Sequence, residues 1–457
     1  MRKVEHVVVL MLENRAFDGM LGHLYRKSDA FDGLNGDESN PWHKPDGSVE
    51  RVAIWNHRGM PPETAWIPDP DPGELFDDIN MQIFGLAGAR GNEPTMDGFV
   101  DNYMRQPRAA RPADPRSVMH AFAPEQVPVV SGLARAFGVS DRWHASAPCQ
   151  TWPNRFFAHT GTAGGWVNNE RSRFPYRMPR FMPSVFRRLG AKGCSWKIYF
   201  HDVPQAATLF DLWVKIPTHF RLFEAEFDQD ARAGRLPNYS FIEPRYYPSR
   251  LLNLMPNDQH PPHDVVYGEQ LIAAVYNAVR NAPTWDRTLL IVTYDEHGGC
   301  FDHVPPPAAV SPGGRYPDAF AFDRYGVRVP TVVISPHIPP GSIVRPAPSP
   351  DGGPAYPFDH ASIVATLHKL FDLGPAPTAR VAAAPDLLSA LTLEEPENQG
   401  PACVTAGPVE PSREAVRKVA KRPRNHHQRS LRSIALLPGA AAKAAAHFHH
   451  VKSKVRP

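Results

Sequence analysis

Cysteine is scarce in this chain. The four present (Cys149, Cys194, Cys300 and Cys403) form no CxxC pair and show no zinc-knuckle spacing. That excludes a disulfide framework and a cysteine-built zinc site, and it leaves the redox compartment open. No run of about 18 apolar residues occurs, so no transmembrane helix is predicted. The N-terminal run VVVLML is short and is followed by charge, so no secretory signal is expected. A cytoplasmic location and export by a route without such a signal both stay open. The sequence holds no internal repeat. Its basic C-terminal stretch has no aromatic beyond Phe448 to interleave with the charges, so base stacking, and nucleic acid as a partner, is not expected.

Proline and glycine are plentiful, at 51 and 32 of 457 residues, which predicts many loops around a scaffold. A hydrophobic fraction of 42% supports a sizeable core under them. The net charge of +3 is unevenly spread: residues 411–457 hold 12 Lys and Arg against one acid, Glu414, so the other 410 residues carry −8. Basicity therefore belongs to the tail. The chain divides into a body, 1–395, with a cap-like insertion at about 165–235, and a Pro/Ala-rich basic tail, 396–457. The tail is expected to be disordered and able to touch an anionic membrane surface.

Two segments carry the strongest pattern. EHVVVLMLENR (5–15) and TLLIVTYDEHGG (288–299) are short apolar runs that stop at acids. Runs this apolar suit strands buried on both faces of a parallel sheet. GCSWKIYF (193–200), LPNYSFIEP (236–244) and RVPTVVISP (328–336) read as further buried strands, and EQLIAAVYNAVRNA (269–282) and HASIVATLHKLFDLG (360–374) as helices, the latter closing on a C-cap glycine. Strands alternating with helices predict an α/β sandwich with a mostly parallel sheet. Residues 30–120 lack periodicity and read as long loops over the active-site face.

Ligands of such sheets bind beyond the carboxyl ends of the strands. There Glu13, Asn14, Asp295 and Glu296 would form an oxygen-rich cation site, with Gly298 and Gly299 allowing close backbone approach. Each residue also has a plain structural reading. Asn14 can start a turn, and Thr151, ahead of Trp152-Pro153, can be the N-cap of a helix. A helix N-terminus is equally a place where phosphate binds, and a hydroxyl there can attack it. His260 in NDQHPPHD and His201 after a strand are loop histidines, and His360 opens a helix. Each is a surface or capping residue on one reading and a phosphate contact or proton donor on the other.

Together EHVVVLMLENRAFD, MDGF (96–99), SDRWHASAPCQTWPNRFF, NDQHPPHD with the following GEQLI, TYDEHGGCFDHVPPP and FDHASI resemble, in order, the motifs of bacterial phosphoesterases that include phospholipase C and a related acid phosphatase. The likeness runs from residue 5 to about 370. It implies an alkaline-phosphatase-like α/β fold and one divalent metal ion held by Glu13, Asn14, Thr151, Asp295 and Glu296. It further implies Thr151 as nucleophile, His260 as phosphate contact and proton donor, and Asn154, His201, His297 and His360 at the substrate. Hard oxygen ligands suit Ca²⁺, Mg²⁺ or Mn²⁺, and added histidines admit Zn²⁺. The implied activity is metal-dependent hydrolysis of phosphate esters, phospholipid among them, by phospholipase C-type diester cleavage through a phospho-threonine. An acid phosphatase-type monoesterase and a non-catalytic binding protein with a decayed site are the alternatives. Two departures mark the pattern: Glu74 stands in the 71–82 loop where the family often has histidine, and His297 follows the Asp-Glu pair where asparagine is usual.

Overall fold

The two apolar runs that end at acids are neighbouring strands. In the computed structural model, which describes residues 3–56, 68–86, 93–107, 113–169, 182–314, 320–347, 355–407, 409–432 and 434, the first run is β1 (His6–Leu12). It is followed by β2 (Ser39–His43), β3 (Val49–Ala53), β4 (Gly138–Ser140), β5 (Trp196–Phe200), β6 (Phe220–Leu222), β7 (Tyr239–Glu243), β8 (Thr288–Tyr294), β9 (Thr331–Ile334) and β10 (Ser342–Ile343). Eight of these strands form one sheet in the order β10-β4-β9-β8-β1-β7-β5-β6, and β2 and β3 form a separate hairpin. β1 pairs in parallel with β7 on one side and with β8 on the other. Only β9 runs against its neighbours, so the mostly parallel α/β architecture is as expected.

Burial explains why these runs are strands. Val7 through Leu12 are fully buried, as is nearly every residue of β8, because helices cover both faces of the sheet. Each such side chain contributes about 1.5–3 kcal/mol relative to exposure. The register Leu12↔Tyr294 carries on past the strand ends, where the Asp295 N–H donates to Leu12 O (3.2 Å) and the Arg15 N–H to Glu296 O (3.0 Å). Glu13-Asn14 and Asp295-Glu296, about 280 residues apart in the chain, are thereby set side by side.

Several boundaries differ from expectation. The helices span Val265–Arg280 and Ala361–Phe371, and the left-handed residue closing the latter is Asp372 (φ 50°), two residues before the glycine expected there. Aspartate tolerates that conformation through its short polar side chain. Residues 30–120 hold more order than loops, with the β2–β3 hairpin and helices at Phe76–Phe84 and Phe99–Arg105. Within the segment expected to form a cap, β5 and β6 extend the main sheet, while residues 170–181 lie outside those described. The tail departs most. Where a disordered extension was expected, residues 396–432 pack on the body and include helices at Arg413–Lys421 and His426–Leu431, and 435–457 lie outside the described residues. The apolar anchors Val416 and Leu431, both buried, explain the difference: a charge-rich composition hides an amphipathic pattern.

Candidate active site

Four acids meet where β1 and β8 end. Glu13, Glu74, Asp295 and Glu296 are all buried, within a shell of Asn14, Thr151, Arg155, Gln205 and His260. Asn14 takes a positive φ of 48°, and its backbone N–H donates to Asp295 Oδ1 at 3.0 Å. Its amide nitrogen sits between two carboxylates, 2.5 Å from Glu74 Oε2 and 2.7 Å from Glu296 Oε1. The turn after β8 is tight: Gly298 and Gly299 both have positive φ, and a Cβ on Gly298 would strike Asn14 backbone atoms at 2.7 Å. The Gly298 N–H holds Glu296 Oε2 at 2.7 Å.

Thr151 opens the helix Thr151–Thr160 as its first helical residue, one position past the N-cap expected for it. Gln150 is the N-cap, and capping falls to a distant side chain: Asn169 Oδ1 accepts from the Trp152 N–H at 2.8 Å. The Thr151 hydroxyl is thus not spent on its own helix. It faces Glu13, 3.5 Å from Oε2. Arg155, one turn on and therefore on the same helix face, donates to Glu13 Oε1 at 2.6 Å and to the carbonyls of Met11 and Leu12, with its Nε 3.5 Å from Asp295 Oδ2. Gln205 Nε2 adds a second donor to Glu13 Oε1 at 2.7 Å. Burial pushes the Glu13 carboxyl well above its ordinary range and Arg155 opposes that shift. Burial likewise raises Glu296, with Glu74 and Asp295 adding to it.

His260 lies across from these acids. It is fully buried, with Nε2 3.5 Å from Glu74 Oε2 and Nδ1 3.7 Å from Asp71 Oδ1. Burial alone would favour its neutral form, but Asp71 and Glu74 outweigh that and hold its pKa well above the ordinary histidine value. Glu74 is displaced the opposite way, below its usual range, because its contact with His260 outweighs burial. Glu74 therefore stands inside the group as the counter-ion of His260. Donor atoms of Asp71, Glu74 and His260 lie within 4.8 Å of one another.

The remaining candidates make contacts within the protein. Both His360 ring nitrogens are occupied: Nε2 donates to the Asp295 carbonyl at 2.6 Å, and Nδ1 accepts from the Trp143 indole at 3.3 Å, so it holds the β8 terminus. His297 Nε2 meets Gln82 Oε1 at 2.8 Å, and Nδ1 lies 3.4 Å from Glu296. Burial lowers its pKa to about 3, so it is a neutral support for Glu296. Asn154 spends its amide on its own loop, donating to Cys149 O at 2.7 Å and accepting from the Ala147 N–H at 3.1 Å. His201 has Nδ1 against Glu243 O at 2.8 Å, Nε2 3.8 Å from Glu224 Oε1, and its ring stacked on Phe223. Arg155, Gln205 and Asp71 are the site residues that sequence reasoning missed. Arg155 alone carried a signal, its i+4 spacing from Thr151.

The donor set fits a divalent cation. Asn14 Oδ1, Asp295 Oδ2 and Glu74 Oε1 are buried with no hydrogen-bond partner, and oxygen donors of this kind suit hard cations. A second acidic group, Asp18, Asp302 and His303, differs: the Arg328 guanidinium spans it at 2.8 Å from Asp18 and 2.9 Å from Asp302, so its charge is already met. Dialysis against EDTA is expected to abolish turnover and to lower the thermal midpoint, with Mg²⁺, Ca²⁺, Mn²⁺ or Zn²⁺ add-back restoring both. A cation present at 100 times its Kd would contribute about 2.7 kcal/mol. Unchanged turnover and melting after metal analysis shows the ion gone would rule out the site.

Residues 4–374 match the phosphoesterase family. The chain is 39% identical over 380 residues to non-specific phospholipase C1 of Arabidopsis thaliana, covering 81% of this chain and 67% of that protein. It is 35% identical to non-specific phospholipase C4 of the same plant, covering 87% and 73%. Phospholipase C A of Mycobacterium tuberculosis is 28% identical, covering 73% and 68%. Among solved structures it is similar, at 10% identity and a TM-score of 0.34, to a protein in the alkaline phosphatase superfamily from Vibrio parahaemolyticus, covering 57% of this chain and 63% of that one.

Proposed function

The chain belongs to the phosphoesterase family and is a phosphoric ester hydrolase, and from that premise we propose that it cleaves phosphodiesters of the phospholipase C type through a phospho-threonine at Thr151. One observation carries the nucleophile: the Thr151 hydroxyl, left uncapped at a helix N-terminus, points at Glu13 beside the Arg155 guanidinium. The first-turn N–H groups and the helix dipole favour a phosphoryl group at this end. Thr151 reacts as the alkoxide, its proton lost to solvent before attack, and Oγ1 forms the new bond to phosphorus as the bond to the leaving oxygen breaks; hydrolysis of the phospho-threonine releases it again as the alkoxide. His260, held protonated by Asp71 and Glu74, gives its proton to that oxygen, and the diacylglycerol or other alcohol departs neutral. Water then attacks the phospho-threonine, His260 takes back a proton, and the phosphorylated head group is released with Thr151 restored. A divalent cation at Glu13, Asn14, Thr151, Asp295 and Glu296 would lower the hydroxyl pKa and screen the phosphoryl oxygens.

Contact with an anionic membrane surface belongs to the same proposal. The Arg413–Lys421 helix presents Arg413, Arg417, Lys418 and Lys421 around buried Val416. Asn253 ties the neighbouring loop to the tail just ahead of that helix through Pro411 O at 2.7 Å, and that loop exposes Leu251 and Leu252 (74% and 57%) beside Arg250. Cations with protruding leucines suit a lipid headgroup layer. The activity is tested by comparing p-nitrophenyl phosphate with p-nitrophenylphosphorylcholine, and phosphatidylcholine vesicles with and without anionic lipid. Faster turnover of the diester, and of the anionic vesicles, is expected. A monoester preference with no response to vesicle charge would assign the protein to phosphatase chemistry instead.

A further inference from the structure

The family match ends at residue 374, yet the chain returns to the site beyond it. After residue 400 it runs along the 265–280 helix, where Tyr276 Oη donates to Pro401 O (2.6 Å), Asn277 Nδ2 to Val404 O (2.9 Å) and Gln270 Nε2 to Val409 O (3.0 Å). Ser412 caps the next helix by accepting from the Ala415 N–H at 3.0 Å. The short helix His426–Leu431 then lies over the acids. Its second residue, His427, is fully buried. The His427 ring stacks on His260, with centroids 5.8 Å apart and planes 23° from parallel, and meets Tyr246 edge-on at 5.0 Å. Nε2 lies 3.7 Å from Glu13 Oε1, the oxygen that Arg155 and Gln205 also hold.

Both His427 ring nitrogens are buried without a hydrogen-bond partner. A structural histidine at such depth usually has at least one, since an unsatisfied buried polar group costs about 1–3 kcal/mol. The surroundings show that this placement is built. Asn425 Oδ1 accepts from the Gln428 N–H at 2.7 Å, and Asn425 Nδ2 lies 3.1 Å from His260 Nδ1. Gln428 Nε2 donates to Tyr246 O and Tyr247 Oη to Gln428 O, both at 2.7 Å. The His426 N–H donates to Asp71 Oδ2 at 3.2 Å. The segment is thus fastened on either side of His427, to His260 and Asp71 before it and to Tyr246 and Tyr247 after it, while His427 itself has Nε2 beside Glu13 and neither ring nitrogen hydrogen-bonded.

We propose that His427 is a substrate-contacting residue of this active site, its ring N–H donating to an oxygen of the phosphate ester beside His260. The proposal rests on the hydrolase reading of Thr151 and His260. The ring sits between His260 and the Glu13 oxygen that Arg155 holds, so a donor there is fixed in place before substrate arrives. A preorganised donor of this kind is worth about 10²–10³ in turnover.

The test uses the full chain and reads phosphate binding apart from turnover. Calorimetric titration of inorganic phosphate into Thr151→Ala and into Thr151→Ala/His427→Met proteins is compared with kcat and KM of the single His427→Met and His427→Gln variants. Methionine keeps the volume and removes the polar atoms, so a folded protein with unchanged or higher thermal midpoint is expected. Phosphate affinity should fall at least tenfold, and kcat/KM by about 10²-fold, with glutamine recovering part of both. Unchanged phosphate affinity and kcat/KM in folded His427→Met would overturn the proposal. So would a rise in kcat/KM, which would make the segment an obstruction. Full activity of Thr151→Ala would instead remove the underlying nucleophile assignment, a separate outcome.

Discussion

Thr151→Ala lowers turnover by about 10⁴-fold or more while leaving the protein folded, the scale seen when a catalytic nucleophile is deleted. The expected stability change is small because the hydroxyl does little for the fold. Its neighbour is Glu13 Oε2 at 3.5 Å, longer than a good hydrogen bond, and Asn169 supplies the helix cap in its place. Loss of the β-branched methyl costs roughly 1 kcal/mol in a fully buried position. Thr151→Ser keeps the oxygen and frees its torsion, so it retains measurable turnover. Rapid quench with a diester substrate and mass spectrometry should place the phosphorylated head group, phosphorylcholine for the choline diester, on the 151–155 region of the wild type. Turnover by Thr151→Ala above a hundredth of the wild-type rate, or label on another residue, would move the nucleophile elsewhere.

The meeting of Glu13-Asn14 with Asp295-Glu296 was legible because it follows from periodicity. Two runs apolar enough for a doubly covered parallel sheet could bring their ends to one pocket, and the structure pairs them directly, Leu12 against Tyr294. The helix at 151–160 was legible from Pro153 in its first turn, though the true cap, Asn169, comes from a loop with no local signal. His360 and Asn154 were read as substrate residues because their motifs are specific, but a polar residue in such a motif can equally hold the backbone that shapes the site. His360 bonds the Asp295 carbonyl and Asn154 the 147–150 turn. Composition misled most in the tail. Twelve cations in 47 residues suggested a solvated extension, whereas Val416, His427 and Leu431 are spaced to bury one side of it. That side brings an imidazole to a site whose 71–82 loop supplies Glu74 where a histidine was expected.

Arg155→Met is the substitution with the largest expected effect on stability, about 3–5 kcal/mol, because it removes one partner of a buried ionic group. Arg155 lies between Glu13 and Asp295 and also donates to the last carbonyls of β1, so methionine fills the space but leaves two buried acids without their cation and takes one donor from each carbonyl. The loss should depend on pH in a definite direction. Burial already raises the Glu13 pKa above its unfolded value and Arg155 holds it down, so removing Arg155 raises it further. The folded variant then binds a proton that the unfolded chain releases above about pH 4.3. Its stability therefore falls as pH climbs from there toward the raised folded value, and the deficit is larger at pH 8 than at pH 5. Urea denaturation at both values, with EDTA present so that no cation replaces the guanidinium, measures this. Glu13→Gln should rescue part of the loss in the double variant, since a neutral amide needs no cation. A deficit independent of pH, or strict additivity of the two substitutions, would show that Arg155 acts through its carbonyl contacts and packing rather than through the charge of Glu13.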